Sequence, residues 1–383
     1  AVSHEIEAEY AMPIHVPMVD VRTVGAGGGS IARVTAAGLL QVGPESAGST
    51  PGPICYGRGG TEPTISDANL LLGRMNPDKL NAQSSPVSLD TIRAAFADKL
   101  GTPLGLDPVQ AAAAVLRLGT ARMADAVRMV SISLGEDPRD FALFAFGGAG
   151  PLHATAIARE LGVPRVLVPA RPGITNALGC VVADLRHDFV QTVNRPLDQA
   201  DMEEVHAIFA RQIAEGTAAI RAEAVEVEEI RVICNVEMQF IGQTHLLRVE
   251  LPGPTPSRDA LQQAFEAAYF KRFQVNLPEI RPALVNVNTS VIGRRAEIDL
   301  AKLIDAEGRK PTLTEAQTGT RQVHFDDWVE TPIYWRDHLP LDAQLTGPAI
   351  IEQMDTTIVL EPGDRADQDH DGNIIITLGS TAA

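Results

Sequence analysis

Cysteine is scarce: Cys55, Cys180 and Cys234 are the only three in 383 residues, odd in number and far apart. Such a set builds neither a disulfide framework nor a zinc site of the Cys-x-x-Cys kind. It fits a reducing compartment, which makes the cytoplasm the expected location. Positive charge is also in deficit. Lys and Arg number 32 against 49 Asp and Glu, for a formal net charge of −17 that is spread along the chain. An acidic surface repels phosphate backbones, so no nucleic-acid partner is expected. No apolar run approaches the ~20 residues of a membrane span, so no membrane partner is expected either. The first residues do not show the basic-then-apolar order of a signal peptide. Among the nine histidines there is no H-E-x-x-H and no paired metal spacing.

What is present is an ordinary globular composition, 45% hydrophobic, in a chain long enough for two or three domains. The clearest unit starts at Phe141. The apolar run "FALFAF" reads as a strand, and it meets Gly147, Gly148 and Gly150 where a helix must open. Pro151 then stands at a position that tolerates proline, because the N–H it lacks would be unpaired anyway. The helix "LHATAIAREL" stops at Gly162, and "RVLVPA" follows as a strand. This is a β-turn-α-β crossover, which implies parallel strands. "RPGITNALGCVVADL" reads as a repeat of the same pattern. Three glycines within four residues have two readings of equal standing. One is a tight turn with close helix–sheet packing. The other is main chain laid bare for a flat or anionic ligand at a helix N-terminus.

Upstream, "GAGGGS" (Gly25–Ser30) resembles a dinucleotide fingerprint only superficially, because "IARVTAAGLLQV" after it is a hairpin pattern rather than a helix. Gly43–Gly60 is loop. "TISDANLLLGRM" opens a helix with Ser66 or Asp67 as the expected N-cap, and a long helix is expected over Pro108–Leu134. "PESAGS" lacks the strand and helix of a nucleophile elbow. "DQDHDG" (Asp367–Gly372) begins like a calcium loop, but Leu378 occupies its twelfth position, so a hairpin turn is expected. The character changes near Asn194, where helices and strands suggest an α+β domain. A polar linker follows over Ala301–Thr320, then short strands of a small β module. The expected domains are therefore 1–194, 195–300 and 301–383.

Four long stretches occur in order: "DVRTVGAGGGSIARV", "VGPESAGSTPGPICYGRGGTEPTISDANLLLGR", "FALFAFGGAGPLHATAIARELGV" and "PGITNALGCVVADLRHDF". Together they resemble the hydantoinase A/5-oxoprolinase family, and "GPAIIEQMDTTIVLEPG" is similar to that family's C-terminal module. The resemblance implies an α/β chain comprising half of an actin-like (sugar-kinase-like) ATPase fold, followed by the α+β domain and the small β module. It implies ATP and Mg as cofactors, with Gly147, Gly148 and Gly150 at the adenosine. Gly27, Gly28, Gly29 and Ser30 would form a cleft-lining loop, and Asp20, Arg58, Asp67 and His153 would be polar candidates near the cleft.

The family's N-terminal aspartate-glycine phosphate loop and its D-x-G-G-T loop do not occur here. The chain therefore looks like a C-terminal half that contributes the adenosine side of the site, with the phosphate loops on a missing N-terminal half. The implied partners are that half, a hydantoinase B-type subunit, and a cyclic amide or ketone as substrate. The implied activity is ATP-driven opening of a hydantoin, 5-oxoproline or lactam. ATP-dependent carboxylation of acetone or acetophenone, a nucleotide-binding scaffold without catalysis, and a plain metabolic enzyme are the alternatives.

Overall fold

The computed structural model describes residues 2–7, 13–19, 21–80, 84–299 and 307–379. Strands β1 (Val2–Glu7) and β2 (Pro13–Val19) form an antiparallel hairpin. A second hairpin, β3 (Ser30–Val34) and β4 (Leu40–Ser46), follows the glycine-rich loop as its alternating pattern predicts. Helix α1 (Ile65–Leu71) opens at least two residues earlier than a Ser66 or Asp67 cap would place it. Its N-cap is Thr64, because Asp67 is at the third helical position and closes a capping box with it.

Helices α2 (Leu89–Phe96) and α3 (Thr102–Leu104) lead to α4 (Pro108–Leu134), which is capped by Asp107 and stopped by a left-handed Gly135. Strand β5 (Ala142–Phe144), helix α5 (Gly150–Leu161) and strand β6 (Arg165–Val168) form the expected parallel crossover. Then come α6 (Thr175–Val182), β7 (Leu185–Pro196), α7 (Met202–Ala222), β8 (Glu229–Phe240), β9 (Leu247–Leu251), α8 (Arg258–Phe273) and β10 (Pro282–Arg294). After α9 (Leu313–Ala316) the remaining elements are strands: β11 (Gln317–His324), β12 (Trp328–Trp335), β13 (Gln344–Thr346), β14 (Ala349–Glu352), β15 (Thr357–Leu360), β16 (Arg365–Gln368) and β17 (Ile374–Thr377).

The contacts do not follow three consecutive domains. They divide the chain into two compact units, Ala1–Val19 with Gly179–Ile298, and Asp20–Leu178 with Asp299–Ala383. In the first unit the sheet order is β7-β10-β8-β9, all antiparallel. Phe209, Phe240, Leu261, Phe265, Leu284 and Val287 build its core between the sheet and helices α7 and α8.

The second unit has two apolar cores. One lies under the β3–β4 hairpin against α1, α2 and the first half of α4, around Ile65, Phe96, Leu100 and Val115. The other joins α5 to the sheet β13-β16-β17-β6-β5 and to the sheet β11-β12-β14-β15, around Ala158, Val166, Ile351, Ile358 and Ile376.

Three expectations are corrected here. The second glycine turn does not repeat the parallel crossover, because the place beside β6 is taken by β17, antiparallel, with Ile374 opposite Val168 and Ile376 opposite Val166. For the same reason the C-terminal strands are not a module on their own. Their isoleucines are buried in the core of the β5-α5-β6 crossover. The linker expected over Ala301–Thr320 is shorter, since α9 and β11 begin inside it.

Asp67 shows how the sequence fixes one of these contacts. Its fully buried carboxylate accepts hydrogen bonds from Ile54 N (3.2 Å), Cys55 N (2.8 Å), Thr64 N (3.0 Å) and Thr64 Oγ1 (2.7 Å). Asp67→Ala would strand four buried donors. A loss of about 3 kcal/mol or more is expected, measurable as a lowered urea midpoint at unchanged slope.

Candidate functional site: an uncapped glycine turn

The turn between β5 and α5 is built entirely in the second unit. Gly147 has φ +80°, a backbone that L side chains rarely adopt, and its N–H donates to Pro172 O at 2.7 Å. This hydrogen bond ties the first glycine turn to the second, Arg171–Ile174. Thr356 Oγ1, in the turn between β14 and β15, donates to the carbonyls of Gly147 (3.3 Å) and Gly148 (2.9 Å). The adjoining Asp355 packs against Gly173, whose ideal Cβ would collide with that side chain. Three loops distant in sequence therefore meet at Gly147–Gly148.

The face of the turn turned away from Thr356 is open. Gly148, Ala149 and Gly150 are exposed, and Ala149 at the N-cap of α5 offers no side chain to the first-turn N–H groups. A Cβ on Gly147 would meet nothing within 4 Å, and one on Gly150 only Ala145 C at 3.9 Å. Gly148 is tighter, with Asp355 O 3.3 Å from its ideal Cβ. Exposed Phe144 and Phe146 stand beside the turn with ring centroids 5.5 Å apart. An uncapped helix start carries unpaired N–H groups and the positive end of the helix dipole. Bare main chain next to two aromatic rings suits a flat, polar or anionic ligand.

The other candidates take different places in the structure. The Gly25–Ser30 loop, mostly half-buried, lies against the β3–β4 hairpin and α1. Ser30 Oγ accepts from Gly27 N (2.9 Å), a Cβ on Gly28 would press on Ser66 Oγ (2.7 Å), and one on Gly29 would press on Ser46 Oγ (2.9 Å). Only Gly27 of this group faces open space. Arg58 is exposed and braces two loops, donating to Ser84 Oγ (2.8 Å) and Ser49 O (3.0 Å). Asp67 is the buried clamp described above. Burial raises its pKa, against the hydrogen bonds from Thr64, Cys55 and Ile54 that lower it. Asp20 lies outside the described residues.

His153 is on α5 but points into the protein, where it is 5% exposed. Burial, then the charge of Arg74, lowers its pKa to about 4, and its Nε2 has no partner. Arg74 is itself buried, so its pKa is lowered, while the Glu361 carboxylate acts to raise it. Arg159 on the same helix binds Asp364 (2.6 Å) and Glu361, fastening α5 to the C-terminal strands. Sequence reasoning missed Thr356 and Asp355. A turn between short strands was legible there, but no spacing connects residues some 200 positions away to Gly147.

A mixed α/β protein of several sheets, with an exposed glycine turn opening an uncapped helix, is the class that these features define. Sequence comparison makes it specific: residues 1–189 match the family described as Hydantoinase/oxoprolinase, and residues 195–376 match its C-terminal domain. The chain belongs to the hydantoinase/oxoprolinase family. It is 35% identical to caprolactamase subunit alpha of Pseudomonas jessenii over 96% of this chain and 53% of that protein. To the acetophenone carboxylase gamma subunit of Aromatoleum aromaticum it is 33% identical, over 95% of this chain and 51% of that one.

The crystal structure of the ATP-dependent caprolactamase from Pseudomonas jessenii superposes with a TM-score of 0.80 at 33% identity, over 98% of this chain and 55% of that one. Nucleotide-free acetone carboxylase shares the fold, with a TM-score of 0.77 at 24% identity, over 98% and 55% of the two chains. The chain thus spans about half the length of the curated relatives it matches. Those relatives are enzymes, and several are named as subunits of larger assemblies. Among the described residues no helix is long and apolar enough to cross a membrane, and no group of three or more His, Cys, Asp or Glu is placed to hold a metal.

Two outcomes test this geometry. A His153 ring that stays neutral to about pH 4, against 6.5 when unfolded, stabilises the fold fully above pH 6.5. That contribution is lost as the pH falls towards 4, by about 3 kcal/mol. His153→Gln is expected to flatten the urea-unfolding free energy across that window by this amount relative to wild type. Gly147→Ala is expected to cost about 1–2 kcal/mol for its left-handed backbone, read from the same unfolding curves at pH 7.5.

Proposed function

We propose that this chain is part of an ATP-dependent amidohydrolase that opens a cyclic amide, a hydantoin, 5-oxoproline or a lactam, by phosphorylating it. The observation that carries this reading is the match to the caprolactamase, which runs along nearly the whole chain at 33–35% identity in both sequence and structure. Acetone and acetophenone carboxylase subunits match over similar lengths at 31% and 33% identity, and make ATP-dependent ketone carboxylation the second reading.

The open face of the glycine turn fits a nucleoside. Gly147, Gly148 and Gly150 present main chain without Cβ atoms, Phe144 and Phe146 offer flat apolar surface, and the α5 N-terminus adds unpaired N–H groups. In this reading the turn is one wall of an actin-like nucleotide cleft, and Gly27, Gly28, Gly29 and Ser30 belong to a second loop of it. Thr356 fixes the shape of the wall by holding both glycine carbonyls. ATP supplies a phosphoryl group that turns an unreactive amide oxygen into a phosphate leaving group. Such transfer rests on positioning and charge neutralisation, and in this reading Mg is held by the part of the relatives' length that this chain does not span. A hydantoinase B-type subunit completes the reaction.

The chain, co-expressed with a complementary N-terminal half and a B-type subunit, is expected to release phosphate from ATP when given hydantoin, 5-oxoproline or caprolactam without bicarbonate. Phosphate release that requires acetone or acetophenone plus bicarbonate would replace the first reading by the second. Ala149→Asp places a carboxylate at the helix start, where it stabilises α5 by about 0.3–1 kcal/mol. The variant is expected to melt no lower than wild type, yet to lose ATP affinity about tenfold or more by equilibrium titration. Unchanged ATP affinity would move the nucleotide away from this turn.

A further inference from the structure

The first unit holds a cavity of its own. Helix α8 ends at Phe273, and Gln274 caps it with a left-handed backbone at φ +56°. The chain then turns through Val275, Asn276, Leu277 and Pro278 on its way to β10. This segment does not close down on the helix. A cavity of about 360 Å³ lies between it, the Glu266–Tyr269 turn of α8 and Phe240 at the end of β8. That is room for a small organic molecule.

The lining is apolar except for Glu266 and Asn276. Phe240 and Tyr269, 2% and 9% exposed, close the bottom as an edge-to-face pair with ring centroids 4.8 Å apart. The Tyr269 hydroxyl is already committed to Gln243 Oε1 at 3.2 Å. Val275, Leu277 and Pro278 supply apolar surface nearer the mouth, where Glu266 is exposed. Glu266 is the only charged residue of the lining. Its Oε1 accepts from the neutral amide of Gln262 at 2.9 Å, and among the described residues no cation pairs with it. An apolar cavity with one carboxylate at its rim complements an ammonium group on an apolar body. The body leaves water while the charged head keeps both the carboxylate and solvent.

We propose that this cavity binds a primary amine with a small apolar or aromatic body, its ammonium donating to the Glu266 carboxylate. The site lies wholly within the first unit and uses none of the glycine-turn residues. It stands whether amide opening or ketone carboxylation is the reaction.

Ligand-observed NMR titration of the chain at pH 7.5 and fixed ionic strength separates head from body. The probes are 2-phenylethylamine, the neutral 2-phenylethanol, the anionic 3-phenylpropionate, and ethylamine, which has the head alone. Saturable binding of 2-phenylethylamine is expected, with 2-phenylethanol and ethylamine several-fold weaker and 3-phenylpropionate weakest. Glu266→Gln should bring 2-phenylethylamine down to the affinity of 2-phenylethanol. Val275 is 48% exposed, so Val275→Trp can fill the cavity from its rim, and it should weaken the amine and the alcohol alike, about tenfold or more. Thermal unfolding shows that both variants are folded. No saturable binding of the amine, equal affinity for the amine and the alcohol, or wild-type amine affinity in either variant would each overturn the proposal.

Discussion

The pairing of β17 along β6 is the contact on which the second unit depends. Strand β6 closes the crossover that starts at the glycine turn, and by itself it would leave one edge of backbone N–H and C=O groups unpaired. The C-terminal strand fills that edge, and Ile374 and Ile376 are buried on Val166, Val168 and Ala158 in one core. Residues about 200 positions apart thereby become neighbours. The β14–β15 turn comes along with this pairing and delivers Thr356 and Asp355 to the two glycine turns. The shape of the turn is therefore a property of the closed unit rather than of the local sequence.

Local signals were readable because local physics decides them. The span of α4 follows from Asp107, Pro108 and Gly135, and α5 from Pro151 and Gly162, residues whose capping and stopping roles need no tertiary help. The β3–β4 hairpin and the hairpin turn at Asp369–Asn373 follow likewise from alternation and turn chemistry. Strand partners were not readable, because nothing within or beside β6 and β7 says which sheet takes each of them. Of the polar candidates, Asp67 and His153 looked functional because charged and aromatic polar side chains in glycine-rich surroundings draw attention. The structure places both inside, one as a clamp and the other as a neutral ring.

Helix α5 is held by opposite means on its two sides. Apolar Ala154, Ala158 and Leu161 pack on the sheets, while Arg159 reaches Asp364 and Glu361, and Thr155 Oγ1 donates to Val359 O at 3.2 Å. Burial raises the Glu361 pKa, and Arg159 and Arg74 act to lower it. Cations from two separate elements thus act against the burial of this carboxylate. Such a network gives the helix a single rotational setting, which purely apolar packing would hold less strictly.

Helix α4 has a mechanical consequence. Its first half is buried in the hairpin core through Ala111, Ala112, Val115 and Leu116, and its second half reaches the sheet core through Ala124 and Val127. At 1.5 Å per residue its 27 residues form a rod of about 40 Å. A rod anchored at both ends sets a fixed span between the hairpin core and the sheet core, so a change in its length or straightness would be felt in both.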